Sequence, residues 1–200
     1  MNTINLHAVA ATSTFNRFHA QTLAWCVLIS VIDGYDLAIT GAALPAIMND
    51  MSVDAKMAGF MASSALFGTM LGAIFLGASA DRIGRPKVIA FCIVLFSVFT
   101  AAAGLAEGPI LFSVCRFISG LGIGGVLPIC AAQVAEFSPA RLRTRLITIV
   151  FAGYSVGGIL VALTSKALIE KYGWQTVFFS SIVPLILSPL VLRKMPDSIA

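Results

Sequence analysis

Apolar residues run through this chain in six stretches of about twenty, each long enough for a helix to cross the roughly 30 Å core of a bilayer. Polar residues collect between them. The stretches are Gln21 to Leu44, Ala58 to Ser79, Val88 to Leu105, Ile110 to Ala132, Leu146 to Ser165 and Trp174 to Leu192. The alternation expected of barrel strands is absent, and backbone groups in hydrocarbon must be paired within their own segment, so the pattern predicts six transmembrane helices. Residues 1–20 then form an N-terminal arm without the hallmarks of a signal peptide, 21–192 the helical bundle, and 193–200 the start of a loop.

Composition agrees with this class. Hydrophobic residues make up 58% of the chain, charged residues only 11%, and mean hydropathy is +0.96, which excludes an ordinary soluble domain. Of thirteen Lys and Arg, nine fall on one side of a six-span path: Arg17, Arg82, Arg85, Lys87, Arg141, Arg143, Arg145, Arg193 and Lys194. Lys56, Lys166 and Lys171 lie on the other, and Arg116 lies inside a span. The positive-inside rule therefore predicts cytoplasmic termini. The net charge of +4 is a topology signal spread over short loops, not a nucleic-acid footprint. Cys26, Cys92, Cys115 and Cys130 fall within spans without metal-ligand spacing, and His7 and His19 have no ligating cluster around them. Neither a metal nor a cofactor is expected.

The halves of the chain match weakly and in order. Gly41 to Pro45 pairs with Gly124 to Pro128, Gly68 and Gly72 with Gly153 and Gly157, and Asp81 to Gly84 with Glu170 to Gly173. Three spans per half is an odd number, so the second half runs through the membrane opposite to the first. That is the 3+3 inverted repeat of transporter folds.

Asp33 and Asp36 stand inside the first apolar stretch. An ionised Asp near the bilayer centre costs roughly 2.5–3.5 kcal/mol on insertion scales, so something must solvate, pair or protonate these two. Three positions apart, they share a helix face and can line one cavity. Two nearby carboxylates in low dielectric do not both ionise cheaply, so one is expected to hold a proton reversibly. Gly34 between them is expected to weaken the helix and free carbonyls. Arg116, permanently charged and predicted at a similar depth in the fourth span, needs an anion: Asp33, Asp36 or an anionic substrate.

The segment Gly77-Ala78-Ser79-Ala80-Asp81-Arg82-Ile83-Gly84-Arg85-Pro86-Lys87 reads as a basic loop, with Gly84 for a tight reversal and Pro86 for the first turn of a helix. It resembles the signature between the second and third helices of the major facilitator superfamily, with Pro86 where a second base is usual. Arg116 followed by Gly120, Gly122, Gly124 and Gly125 is similar to that superfamily's fourth-helix motif. Gly120 and Gly124, like Gly153 and Gly157, have the spacing that lets helices pack closely. Glu136 wants a cation at the end of the fourth helix, which Arg85 or the Arg141 group can supply. With Asp81 and Arg85 it would form a charge cluster that breaks and reforms as a transporter opens.

Asp33-Gly34-Tyr35-Asp36, the Asp81 segment and the stretch from Arg116 to Glu136 together resemble the aromatic acid:proton symporter family of that superfamily, most closely its bacterial benzoate carriers. The resemblance runs from about Asp33 to Ser198. It implies one half of a twelve-helix fold, and uptake of a small aromatic carboxylate with protons through the bacterial inner membrane. It further implies that Asp33, Asp36, Asp81, Arg116 and Glu136 stand at positions important for transport. The other six helices, or a second chain, are then expected to complete the cavity, and the chain to be a fragment, a truncated product or a separate half. A non-transporting scaffold and a carrier of another organic anion remain open. An aspartyl protease is disfavoured because its two carboxylates come from different helices, whereas no other span here contains Asp. Reporter fusions at Ala106 and Ala200 test the topology: the first should report the outer side and the second the cytoplasm.

Overall fold

The computed structural model describes residues 15–196, so His7 lies outside the described residues. The first helix, α1 (Arg17–Asp50), begins at a capping box: the Asn16 side chain accepts from the Phe18 and His19 N–H groups, and His19 Nδ1 accepts from the Asn16 N–H. Its start lies within the predicted arm. Asp54 caps α2 (Ala55–Ile83) by accepting from Met57 N–H at 2.9 Å. Then follow α3 (Arg85–Ala103), α4 (Pro109–Phe137) and α5 (Arg143–Tyr172). The sixth span is not one helix: α6 (Gln175–Phe179) passes through a 3-10 segment, Ser180–Ile186, into α7 (Leu187–Lys194). Among the described residues, six segments are long and apolar enough to cross a membrane.

Most helices outrun their apolar stretches, because apolarity marks only the part in hydrocarbon whereas capping and backbone pairing carry the helix into the interface. This corrects the expected loop at Gly77 to Lys87. Gly77 to Ile83 form the last turns of α2, and only Gly84, at φ 104°, separates it from α3. A side chain is strained at that angle, so glycine permits the one-residue reversal. Gly84 N–H donates to the Ala80 carbonyl, and Val88 N–H donates to that of Gly84. Pro86 sits in the first turn of α3, where no N–H is needed.

α2 lies along α4 and α1 along α5, while α3 packs behind α4 and carries the sixth span on its far side. The two seams are built from backbone. A Cβ at Gly68 would collide with the Phe117 carbonyl, at Gly72 with that of Leu121, at Gly120 with that of Ala65 and at Gly124 with that of Thr69. On the other seam a Cβ at Gly34 would meet the Tyr154 carbonyl, at Gly157 that of Val31, and at Gly153 that of Val27 at 3.2 Å. The seams are equivalent under the inverted repeat, since exchanging α1 with α4 and α2 with α5 carries one onto the other.

Their register corrects one match. Gly68 and Gly72 do correspond to Gly153 and Gly157, but Gly124 corresponds to Gly34 and not Gly41, beside which the space is open. Gly34 and Gly41 are about two helical turns apart and so lie on nearly one face. Gly34 therefore buries against α5 within an unbroken helix and frees no carbonyls.

One buried cluster, around Cys26, Ile89, Phe96, Ile129 and Cys130, fills the end nearer the α2–α3 connection. The other, around Ile39, Ile47, Met61, Phe112, Trp174 and Phe178, fills the opposite end. There Trp174 Nε1 donates to Asp50 at 2.8 Å, tying the sixth span to the first. Large apolar side chains such as Phe67, Ile74, Leu163 and Ile186 cover the outside, as a lipid-facing surface requires.

Gly124→Val should prevent stable packing, because a carbonyl of α2 blocks the new side chain. Gly59→Ala, placed in open space within α2, should be neutral or add up to about 1 kcal/mol. Detergent-denaturation curves of the purified variants check both.

Candidate functional site

Arg116 is the largest fully buried side chain among the described residues, and its partner is Asp36. Arg116 Nη1 donates to Asp36 Oδ2 at 3.0 Å, and Nη2 to the Asp36 backbone carbonyl at 3.1 Å. Three hydroxyls complete the setting. Thr100 Oγ1 on α3 donates to Asp36 Oδ2 at 2.9 Å and accepts from Arg116 Nη1 at 2.8 Å. Ser119, one turn after Arg116, lies 2.8 Å from Thr100 Oγ1 and 3.2 Å from Nη1. Ser181, in the 3-10 segment, donates to Asp36 Oδ1 at 2.7 Å. A charge pair sealed from water must have its remaining donors and acceptors met, and four of the six spans supply groups here.

Asp33 is as buried as Asp36 and differently placed. Its Oδ1 has no hydrogen-bond partner among the described residues, nor have Ser30 Oγ, Thr40 Oγ1, Ser97 Oγ and Arg116 Nε. Buried polar atoms left unmet in this way mark functional positions or ordered water. The two aspartates thus share a helix but not a role in the pairing. Asp36 borders a cavity of about 280 Å³ between α1, α3, α5 and the sixth span.

At the end of the bundle holding the α2–α3 connection, Arg85 is bidentate between helices. Its Nη1 donates to Glu136 Oε2 at the end of α4, and its Nη2 lies 3.4 Å from Asp81 Oδ1 on the last turn of α2. Arg85 is buried, while Asp81 and Arg82 are exposed. Among the described residues, Arg85 is thus a cation beside Glu136. Gly77 lies near Pro128 of α4, with room for a methyl group. The four cysteines are buried and free, and no group of potential metal ligands is found among the described residues.

Sequence reasoning missed Thr100, Ser119 and Ser181. Ser119 lay inside the Arg116 motif at a spacing that shares its face. The only signal for the other two was a hydroxyl in an apolar span, shared with many residues that merely bond back to their own helix, as Ser64 does to the Met61 carbonyl.

A family model described as the Major Facilitator Superfamily matches residues 26–198. The benzoate transport protein of Acinetobacter baylyi is 39% identical over 98% of this chain, the gallate transporter of Pseudomonas putida 34% over 88%, and the 4-hydroxybenzoate transporter PcaK of Acinetobacter baylyi 32% over 98%. The chain spans only 43%, 39% and 43% of those relatives. Among solved structures, the proton:xylose symporter XylE bound to 6-bromo-6-deoxy-D-glucose superposes with a TM-score of 0.81 at 21% identity, covering 90% of this chain and 45% of that one. A bacterial homologue of the lysosomal transporter Spinster superposes with a TM-score of 0.79 at 20% identity, over 92% of this chain and 44% of that one. At such identities the likeness shows the fold. These are transporters, not enzymes.

Arg116→Leu strands the Asp36 carboxylate and should cost about 3–5 kcal/mol, while joint Asp36→Leu and Arg116→Leu recovers much of it. Denaturation of the purified single and double variants measures the difference; equal losses would remove the pair from the account.

Proposed function

The chain belongs to the major facilitator superfamily, and from that premise we propose that it forms the six-helix half of a carrier taking up a small aromatic carboxylate together with protons. The observation that carries this reading is the unequal treatment of the two aspartates. Asp36 has a guanidinium and three hydroxyls around it, the setting of an ionised carboxylate. Asp33 has an oxygen with no donor, the setting of a carboxyl that carries a proton. A fixed charge and a loaded proton one turn apart are what coupling needs.

The substrate class rests on the relatives, which are named as carriers of benzoate, gallate and 4-hydroxybenzoate. Their common chemistry is a carboxylate on one aromatic ring, and Arg116 is the fully buried cation that can meet it. A substrate anion would compete with Asp36 for the guanidinium, whose Nε has no partner among the described residues. Each departure or return of the anion would thereby change the balance of charge around Asp33.

Alternating access requires one bundle to rock against another. We assign the second bundle to six further helices, in the same polypeptide or another. Arg85, Asp81 and Glu136 would then act as a gate on the cytoplasmic face, opening and closing with that motion. Both termini would lie in the cytoplasm, with the bundle in the bacterial inner membrane.

The test is uptake of labelled benzoate into vesicles under an inward proton gradient, with the chain joined to the matching half of a relative. Asp33→Asn and Asp36→Asn should each reduce accumulation to the level of empty vesicles while the protein still inserts, and the chain alone should not accumulate the label. Normal accumulation in both variants rejects the coupling role.

A further inference from the structure

The sixth span read as a plain apolar crossing, yet it reaches the charge pair. We propose that Ser181 is a positioning residue that keeps Asp36 ionised and so leaves the transported proton to Asp33. The inference rests on the reading of Asp33 as the proton site and adds, to the Arg116 pairing that separates the two carboxylates, the donor that serves the second oxygen of Asp36.

The geometry separates the two oxygens of Asp36. Oδ2 faces Arg116 Nη1 at 3.0 Å and Thr100 at 2.9 Å, with Ser119 at 3.5 Å. Oδ1 takes Ser181 at 2.7 Å, the one side-chain donor that reaches it among the described residues. Beside Asp36 lies the 280 Å³ cavity, walled largely by Val31, Ile32, Phe96, Leu160 and Val183. Without the Ser181 hydroxyl, a charged oxygen would stand against apolar walls with nothing to solvate it, and the neutral acid would gain. The charged and titratable groups facing the pair are few. Arg116 meets Asp36 from α4, Tyr35 of α1 lines the cavity beside it, and Cys92 of α3, Cys130 of α4 and Tyr154 of α5 lie near Asp33. None of them distinguishes the aspartates by donating to Oδ1.

Backbone winding puts the hydroxyl there. Pro184 has no N–H to offer the Ser180 carbonyl, so an α-helical bond cannot form at that point. The chain instead winds as a 3-10 segment of seven residues, longer than the three or four usual for this conformation. Neighbouring contacts hold it in place. Ser180 Oγ bonds to the Val177 carbonyl at 2.6 Å and to the Tyr35 hydroxyl at 3.3 Å, and Tyr35 lies 3.3 Å from Thr164 Oγ1 on α5. Ser180 thus docks the segment on α1 and α5 while Ser181, fully covered, turns to the carboxylate.

Infrared difference spectra of the 200-residue chain in lipid vesicles, neutral minus alkaline, resolve a carboxyl that holds a proton at neutral pH by its C=O stretch. The unmodified chain should show a buried-acid band that Asp33→Asn removes. Adding Ser181→Ala to Asp33→Asn should bring a new band at the same pH, and Asp36→Asn should abolish that band in turn. Ser181→Thr, which keeps the hydroxyl, should bring none; Ser181→Cys, a weaker donor of similar size, gives a second reading if the alanine variant inserts poorly. A background that stays silent with both Ala and Cys overturns the role of Ser181 and leaves the coupling reading standing. A buried-acid band that survives Asp33→Asn in the otherwise unmodified chain removes both.

Discussion

A guanidinium enclosed in a bundle of apolar helices is the constraint around which this structure is arranged. Arg116 cannot shed its charge, and hydrocarbon offers it no water, so an anion must stand beside it and that anion must itself be satisfied. Asp36 from α1, Thr100 from α3, Ser119 from α4 and Ser181 from the sixth span converge for that reason. The arrangement also explains the inequality of the aspartates. One guanidinium serves one carboxylate well, and the carboxylate a turn away is left with an unmet oxygen.

Such convergence needs helices close together, and glycine provides this between α3 and α4, where a Cβ at Gly122 would meet the Cys92 carbonyl at 2.7 Å. Where α1 meets α5 and α2 meets α4, the backbone of one helix touches the backbone of the other. Close axes bring short side chains within hydrogen-bond reach across the bundle, so serine and threonine suffice where longer polar groups would otherwise be required. The charge cluster of Arg85, Asp81 and Glu136 lies at the far end of the same α2–α4 seam. Any movement of that seam would be felt at both places.

How much of this was legible in the sequence varies with the range of the physics. The spans were legible, because a bilayer sets their length and forbids charge within them. That Arg116 needs an anion, Asp33, Asp36 or a substrate, was legible from depth and charge alone, but the choice among them turns on side-chain geometry across four spans. The 3-10 winding at Ser180 to Ile186 left only Pro184 as its trace, and proline is common in membrane helices. The repeat was legible in its order and in α2 and α5, while in α1 it was matched about two turns too late because Gly34 and Gly41 present nearly the same face. The segment from Gly77 to Lys87 looked like a loop because its charges do not belong in lipid, although nothing prevents a helix from carrying them beyond it.

The pairing of spans also has a consequence for biogenesis. The seams are nested: α2 closes on α4, and α1 closes on α5 outside it, so the main partner of the first span is not its neighbour in the chain. During synthesis the first span enters the bilayer with two carboxylates, and the cation that meets Asp36 lies 80 residues further along the chain. At roughly 5–20 residues per second, that is a wait of about 4–16 s. Through this interval Asp33 and Asp36 must be tolerated as neutral acids or sheltered by the insertion machinery. The bundle closes only when the later spans arrive to complete it.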